Sequence, residues 1–549
     1  MKTDPILPEA RLRHMREAGL WTDRILLDDF DRCVATTPDR IAIVDHNSMT
    51  GARTAFSYRD FARRVDRIAV GLVRLGVGRG DVVSMQLPNW WQFPALHLAA
   101  LRLGAITNPV MPIFREREMS FMLHLAESKV LVIPREFRGY GYPAMAEAIR
   151  PSLPALEHVL VIGGEGDNAF ERLTEAGADP DDAARAHFAA SRPGADEVVE
   201  LLYTSGTTGE PKGVMHTSNT LYANILPYAE RLGLDGDDTV FMASPLAHQT
   251  GFMYGIMMPI ILGGKIVFQD IWDAAKAVDG IAAEGATFTM AATPFLSDLT
   301  DEAAKRPDEV RTLRTFLSAG APIPRALVRR AADHLGANII SAWGMTENGA
   351  VTTTRIGDPP DKAFETDGVP VPAMEIRVVD EGGATLPADT EGRLQTRGAS
   401  NFVGYLKHPE RYDTDAEGWF ETGDLARIDR DGYVRITGRT KDVIIRGGEN
   451  VPVVEVEGLI YQHPAIQEVA VVAMPDGRLG ERACAFAVLR SGAELTFPDL
   501  VAFLQDRHLA RNYLPERLEV IEAMPKTPSG KIQKVVLRGI AKNLSAEPR

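Results

Sequence analysis

Disulfide chemistry is all but ruled out for this chain, because its 549 residues carry only two cysteines, Cys33 and Cys484, too few for a framework of bridges. A reducing, cytoplasmic setting is therefore expected. Excess positive charge is missing as well. Lys and Arg number 60 against 75 Asp and Glu, a formal charge of −15, the reverse of the basic footprint that a nucleic-acid partner calls for. A local basic pocket for phosphates remains open. Stable membrane insertion is not expected either. The most apolar region, 251–268, is interrupted by Pro259, Gly263, Gly264 and Lys265 and reads as a buried helix and strand. The stretch 1–13 lacks the apolar h-region of a signal peptide. Internal repeats and long low-complexity tracts are absent. What remains is ordinary globular material, 45% hydrophobic and 25% charged, enough for a large core and several compact units.

Periodicity points to an α/β chain over roughly the first 400 residues. Ser57 and Asp60 form a helix-capping signal, and Phe61, Val65, Ile68, Leu72 and Leu75 repeat at the spacing of one helix face, with Gly76 as the stop. Val82 to Met85 reads as a strand and Phe93 to Leu103 as an apolar helix. The aliphatic runs Val130 to Ile133 and Val159 to Ile162 read as buried parallel strands. The Ala/Asp-rich piece from Ala176 to Asp196 is expected to be a surface connection. Character changes near Gly438 and Arg439. Beyond it, strands at 469–473 and 483–489 and a helix at 497–507 suit a small α+β lid, giving two domains, 1–438 and 439–549.

The densest chemical signal is Tyr203-Thr204-Ser205-Gly206-Thr207-Thr208-Gly209-Glu210-Pro211-Lys212-Gly213. Glycines let backbone N–H groups approach an anion, hydroxyls add donors, and Lys212 adds a positive charge. No Gly-Lys-[Ser/Thr] sequence follows at the Walker spacing, so this is a different kind of phosphate loop. A Gly/Thr-rich surface turn explains a shorter string better than this one.

Seven further motifs follow in order: Pro245-Leu246-Ala247-His248-Gln249-Thr250-Gly251, Ser318-Ala319-Gly320-Ala321-Pro322, Ser341-Ala342-Trp343-Gly344-Met345-Thr346-Glu347, Thr422-Gly423-Asp424, Gly438-Arg439-Thr440-Lys441-Asp442, Arg446-Gly447-Gly448-Glu449-Asn450 and Pro525-Lys526-Thr527-Pro528-Ser529-Gly530-Lys531. Each alone is weak. Together with the loop they resemble the adenylate-forming superfamily of acyl-CoA synthetases, adenylation domains and luciferases, from about Leu26 to Lys534.

The resemblance implies a large N-terminal domain of wound, partly parallel sheets flanked by helices, and a small mobile C-terminal lid. It implies ATP and coenzyme A as co-substrates and Mg²⁺ as cofactor. Thr204, Ser205, Gly206, Thr207, Thr208, Gly209 and Lys212 would take the β- and γ-phosphates. Glu347, with Thr204 nearby, would hold the metal, a hard cation that prefers oxygen ligands. Ala319, Gly320, Ala321, Pro322, Ala342, Trp343 and Gly344 would enclose adenine, with Met345 beside them and Thr346 at the α-phosphate. Trp343 replaces the usual Tyr, which keeps a flat face but relocates the polar handle. Asp424 would accept from the ribose hydroxyls, with Arg439 close by. Lys531 would bridge the carboxylate and α-phosphate during adenylation. Lys441 and Asp442 would form the hinge, and Arg446, Gly447, Gly448 and Glu449 the pantetheine tunnel. His248 would gate an acyl pocket that includes Gln249, Phe252 and Trp343.

No Asp for an amino acid's ammonium lies between Pro245 and Phe252, and Phe252 to Ile261 is mostly apolar. The expectation is a plain, apolar carboxylic acid, as in the short- and medium-chain and alicyclic acyl-CoA ligases, with cyclohexanecarboxylate the type substrate. Two alternatives stay open at this level, an acyl-AMP ligase loading a carrier protein and a silent nucleotide-binding regulator. A homodimer is compatible with the sequence.

Overall fold

A computed structural model describes residues 3–175, 179–204, 211–320, 323–440, 442–446, 449–507, 509–527 and 530–544. Ser57 caps the helix Tyr58–Arg74 by accepting from the Asp60 N–H at 3.1 Å, and Phe61, Val65, Ile68 and Leu72 are buried along one face. Gly76 follows with φ of 74°, a left-handed turn open to glycine at little cost. The helix lies against Gln92–Arg102, so the periodic apolar face becomes a helix–helix contact.

Two sheets carry the larger domain. One runs, by neighbour, Val369–Pro370, Gly349–Thr353, Asn338–Met345, Thr315–Ala319, Phe288–Ala291, Thr239–Met242, Lys265–Gln269, Ile41–Asn47 and Ala52–Ser57. Its middle strands pair in parallel, while Ala52–Ser57 and the strands from Gly349 onward pair antiparallel. The other runs Lys212–Thr217, Val198–Thr204, Ile106–Pro109, Val82–Met85, Val130–Pro134 and His158–Ile162. The expected strands at Val82, Val130 and Val159 thus lie side by side in parallel. The first two are buried at every position, as two-sided burial requires, while the edge strand His158–Ile162 is buried only in part. Helices such as Ser218–Arg231 pack between the sheets and are buried on most faces.

A four-stranded antiparallel sheet, Met374–Val379, Gly392–Gly398, Phe420–Ile428 and Val434–Arg439, follows. Then come Ile444–Arg446 and Glu449–Val451, with the long hairpin Ile466–Asp476 and Gly480–Leu489 and the helix Phe497–Asp506. The cores of this last region draw on residues from Ile444 to Leu544. The architecture is α/β with a separate α+β C-terminal domain.

One expectation is refined, since the described residues of the piece 176–196 are largely exposed, as a surface connection should be, but not wholly irregular. Within 176–196 the described residues include a helix, Asp182–Ser191, capped by the Asp181 carboxylate accepting from the Ala184 N–H at 2.8 Å and anchored by buried Phe188. Its many alanines favour helix, and its other faces stay in water, which hid the amphipathic signal. The region 251–268 is buried as expected, but it opens with a wide π-type turn, Thr250–Met257, before Met258–Leu262 and the strand Lys265–Gln269. No helix among the described residues is long and apolar enough to cross a membrane.

Candidate active site

Two of the predicted motifs lie at the carboxyl ends of neighbouring strands in the large parallel sheet, the edge where α/β sheets present ligand sites. Ala319 and Ala342 end up as register partners on neighbouring parallel strands. Just beyond Ala342 the strand bulges against Gly349–Thr353. A Cβ on Gly344 would sit 1.9 Å from the Gly349 carbonyl oxygen, so only glycine allows this approach.

Trp343 departs from the expected picture in detail. It is 8% exposed and belongs to a cluster of buried residues with Val351, Met374, Val378 and Leu394. The relocated polar handle has a defined target, since the indole Nε1 donates to Asp424 Oδ2 at 2.9 Å. Arg439 Nε donates to the other oxygen at 2.9 Å. Asp424, 3% exposed, is therefore held as an oriented carboxylate by groups from two different motifs.

The phosphate loop joins two antiparallel strands whose last register pair is Thr204 and Lys212. Lys212 Nζ lies 4.6 Å from the centroid of the Tyr405 ring, and the Tyr405 hydroxyl donates to Glu347 Oε1 at 2.7 Å. Tyr405 thus joins the loop lysine to the candidate metal ligand. Nothing in the sequence marked this tyrosine. It lies 58 residues from Glu347 and outside every motif, and no local pattern could reveal it. Glu347 is 5% exposed. Burial raises its carboxyl pKa, while the Tyr405 hydroxyl, Lys212 and Arg439 favour its charged form. Thr346 is fixed through its backbone, because buried His216 donates from Nε2 to its carbonyl at 2.7 Å. Desolvation keeps His216 neutral, with a pKa of about 4.

No group of three His, Cys, Asp or Glu side chains among the described residues could cage a metal. A lone carboxylate beside a phosphate loop does fit Mg²⁺, which binds through one or two carboxylates plus substrate phosphates and water.

Lys531 comes from the C-terminal domain. Its N–H donates to Thr527 Oγ1 at 3.0 Å and its carbonyl accepts from the Thr527 N–H at 2.7 Å, closing a tight loop. Gly530, with φ of 84°, packs so closely on the helix Thr293–Ala303 that a Cβ would lie 3.1 Å from Phe295. The Lys531 side chain keeps solvent-exposed surface yet is walled by protein. That desolvation, with Arg439, lowers its pKa to about 8, while Asp424, Asp442 and Glu347 oppose the shift. His248 lies within the field of Lys531. Desolvation first, then that cation, bring its pKa to about 4, and its Nδ1 accepts from the Thr250 N–H at 3.2 Å. Lys531, Glu347, Asp424 and His248 therefore lie within electrostatic reach of one another.

The remaining predicted residues that are described make the following contacts. Asp442 forms an ion pair with Arg538 of the last helix. The Arg446 guanidinium is engaged by buried Glu516 at 3.0 and 3.1 Å. Phe252 is wholly buried, with the His97 ring 4.8 Å from its own. Gly320 has φ of 89° at the end of Thr315–Ala319, and Glu449 begins a short strand. Ser205, Gly206, Thr207, Thr208, Gly209, Ala321, Pro322, Lys441, Gly447 and Gly448 lie outside the described residues.

Comparison with known proteins agrees with this geometry. Residues 30–406 match the AMP-binding enzyme family, and 455–531 match the AMP-binding enzyme C-terminal domain. The chain is 36% identical over 545 residues to the medium-chain fatty-acid–CoA ligase of Escherichia coli (strain K12), covering 98% of this chain and 94% of that one. It is 34% identical to a salicylyl-CoA synthase / salicylate adenylyltransferase of a Streptomyces species, with 97% of each chain covered. The crystal structure of the anthranilate CoA ligase AuaEII with anthranoyl-AMP superposes with a TM-score of 0.85 at 25% identity, over 95% of this chain and 98% of that one. The chain belongs to the AMP-binding enzyme family of adenylate-forming enzymes. Within it, the protein is an AMP-forming acid–CoA ligase that uses ATP and coenzyme A.

Proposed function

We propose that the acid is an apolar monocarboxylate, either alicyclic, such as cyclohexanecarboxylate, or a short- or medium-chain fatty acid. The observation that carries this reading is the wall after the gate: Phe252 to Ile261 is buried, and no charged side chain occurs in it. An ammonium or second carboxylate placed there would lose its hydration without a partner, at a cost of several kcal/mol.

In the first half-reaction a carboxylate oxygen of the acid attacks the α-phosphorus of ATP and pyrophosphate leaves. Lys531 stabilises the charge moving between these anions, Thr204 and Lys212 bind the β- and γ-phosphates, and Thr346 contacts the α-phosphate. Glu347 would hold Mg²⁺, which neutralises phosphate charge when bound. Ala319 and Ala342 flank adenine, and Asp424 accepts from the ribose. In the second half-reaction the CoA sulfur attacks the acyl carbon, AMP leaves with the carboxyl oxygen, and the thiol proton passes to solvent. For that step the domain from residue 439 onward rotates about Lys441 and Asp442. It withdraws Lys531 and brings in the 446–449 segment. The enzyme works in the cytoplasm.

The test is a pyrophosphate-release screen of aliphatic, alicyclic and aromatic acids, dicarboxylates and amino acids, with and without CoA. An apolar acid should lead, with AMP and acyl-CoA as products. A tenfold preference for an amino acid or dicarboxylate would overturn the reading. Adenylate formation followed by no transfer to CoA would instead point to a carrier-protein acceptor.

A further inference from the structure

Two buried polar side chains next to the acyl gate meet without ordinary partners. Glu200 is 0% exposed, on the strand Val198–Thr204, and both carboxyl oxygens are shielded with no hydrogen-bond partner. Gln249, 4% exposed, follows gate residue His248, and its amide nitrogen and oxygen are likewise shielded and unbonded. Gln249 is also the side chain whose amide bears on the Glu200 carboxyl.

The neighbours supply no countercharge. Thr107 and His216 are the register partners of Glu200 on the flanking strands, and such partners share a face. The Thr107 hydroxyl is engaged by His97 Nδ1 at 3.0 Å and the Val199 carbonyl at 3.1 Å. His216 is engaged by Thr220 Oγ1 and the Thr346 carbonyl. Desolvation holds both histidines neutral, His97 at about 3 and His216 at about 4. Glu200 itself is raised by burial well above the carboxylate range, with only Gln249 opposing.

We propose that Glu200 is a positioning residue that pins the Gln249 carboxamide, and that this pairing sets the acyl pocket's preference for apolar acids. The second half of this proposal rests on the reading of the pocket given above. A neutral carboxyl offers one O–H donor and one carbonyl acceptor, and a carboxamide offers the complementary pair. Joined, they satisfy the acid O–H and both carbonyl oxygens, leaving only the second amide N–H of Gln249 over. Separated, the amide turns a donor and an acceptor toward the pocket, and an apolar tail must then bury them unpaired. A hydroxylated tail would instead satisfy them.

The experiment compares wild type, Glu200→Gln and Glu200→Leu, with cyclohexanecarboxylate and its ring-hydroxylated analogue as probes of pyrophosphate release. Glu200→Gln should stay within about threefold of wild type in its preference for the apolar acid, because an amide also pairs with an amide. Glu200→Leu should raise the KM for cyclohexanecarboxylate and shift the kcat/KM ratio toward the hydroxylated acid by about tenfold, leaving the KM for ATP unchanged. An unmoved ratio in Glu200→Leu, or an equal shift in Glu200→Gln, would overturn the proposal. If Glu200→Leu does not fold, infrared spectroscopy decides. The carboxylic-acid C=O band lost in Glu200→Gln should move to higher frequency in Gln249→Leu, where its hydrogen-bond partner is gone. A band that stays put, or none at all, would contradict the pairing. This readout needs no substrate. Were the wild type to take no apolar acid, the pocket reading and the specificity half would fall while the pairing would still be judged.

Discussion

Trp343 Nε1 and Asp424 Oδ2 stand 2.9 Å apart across 81 residues of sequence. The bond ties the Ser341–Glu347 motif to the Thr422–Asp424 motif. A tyrosine hydroxyl extends from the far end of its ring, whereas indole carries its N–H on the side of the bicycle. The indole at position 343 therefore comes with a fixed orientation of the buried carboxylate.

Trp343→Phe keeps an aromatic face and removes only the donor. Hydrogen bonds to charged groups contribute about 1.5–3 kcal/mol, so ATP affinity should fall by about tenfold or more. Calorimetric titration with ATP, and the KM for ATP, measure this. An unchanged affinity would mean that Arg439 alone orients Asp424.

Glu347 should cost stability while serving catalysis. Its folded pKa is raised from 4.5 by burial, so the folded state holds a proton that the unfolded chain releases. Stability from this group is present below the unfolded pKa and is lost as pH rises through the folded one. Glu347→Gln should therefore raise Tm more at about pH 8 than at about pH 5, while adenylation falls by about two orders of magnitude. Thermal melts at both pH values check the sign, and the opposite order would refute it. Tyr405→Phe removes a donor that favours the charged form, so the acid limb of adenylation should move to higher pH.

Docking of the lysine loop depends on the missing side chain at Gly530. A Cβ there faces Phe295 at 3.1 Å, and a φ of 84° disfavours any other residue. Gly530→Val should depress adenylation by at least about tenfold and leave thioester formation from supplied acyl-AMP near wild type. Equal loss in both steps would mean general damage to the lid.

The ammonium of Lys531 has a pKa of about 8, and adenylation needs it charged. Activity in that half-reaction should fall as pH rises through about 8. Thioester formation, for which a different lid orientation is proposed, should lack this limb. Separate pH profiles of the two half-reactions test this.

The ordered motifs made the family legible, and a period of 3.6 or an aliphatic run made single elements legible, as for Tyr58–Arg74 and Val130–Pro134. Long-range pairing was not legible. Tyr405 reaches Glu347 because the segment after Gly398 returns to pair with Met215 and with Glu347 itself, through the Val403 and Phe402 N–H groups. Glu200 carries no local signal either, and only register places it between Thr107 and His216 on a largely buried strand. The helix Asp182–Ser191 was missed because a single buried residue, Phe188, gives no periodicity to detect.

The most direct test of the account is single-turnover measurement of both half-reactions in Lys531→Ala. Removing a cation that acts in the transition state costs about 3–4 kcal/mol, a loss of roughly two to three orders of magnitude in adenylate formation. Conversion of chemically supplied acyl-AMP and CoA to the thioester should remain within about threefold of wild type, because in the proposed mechanism the lysine is withdrawn by then. Equal losses in both half-reactions would contradict the assignment of Lys531 to adenylation and the division of labour between two lid positions.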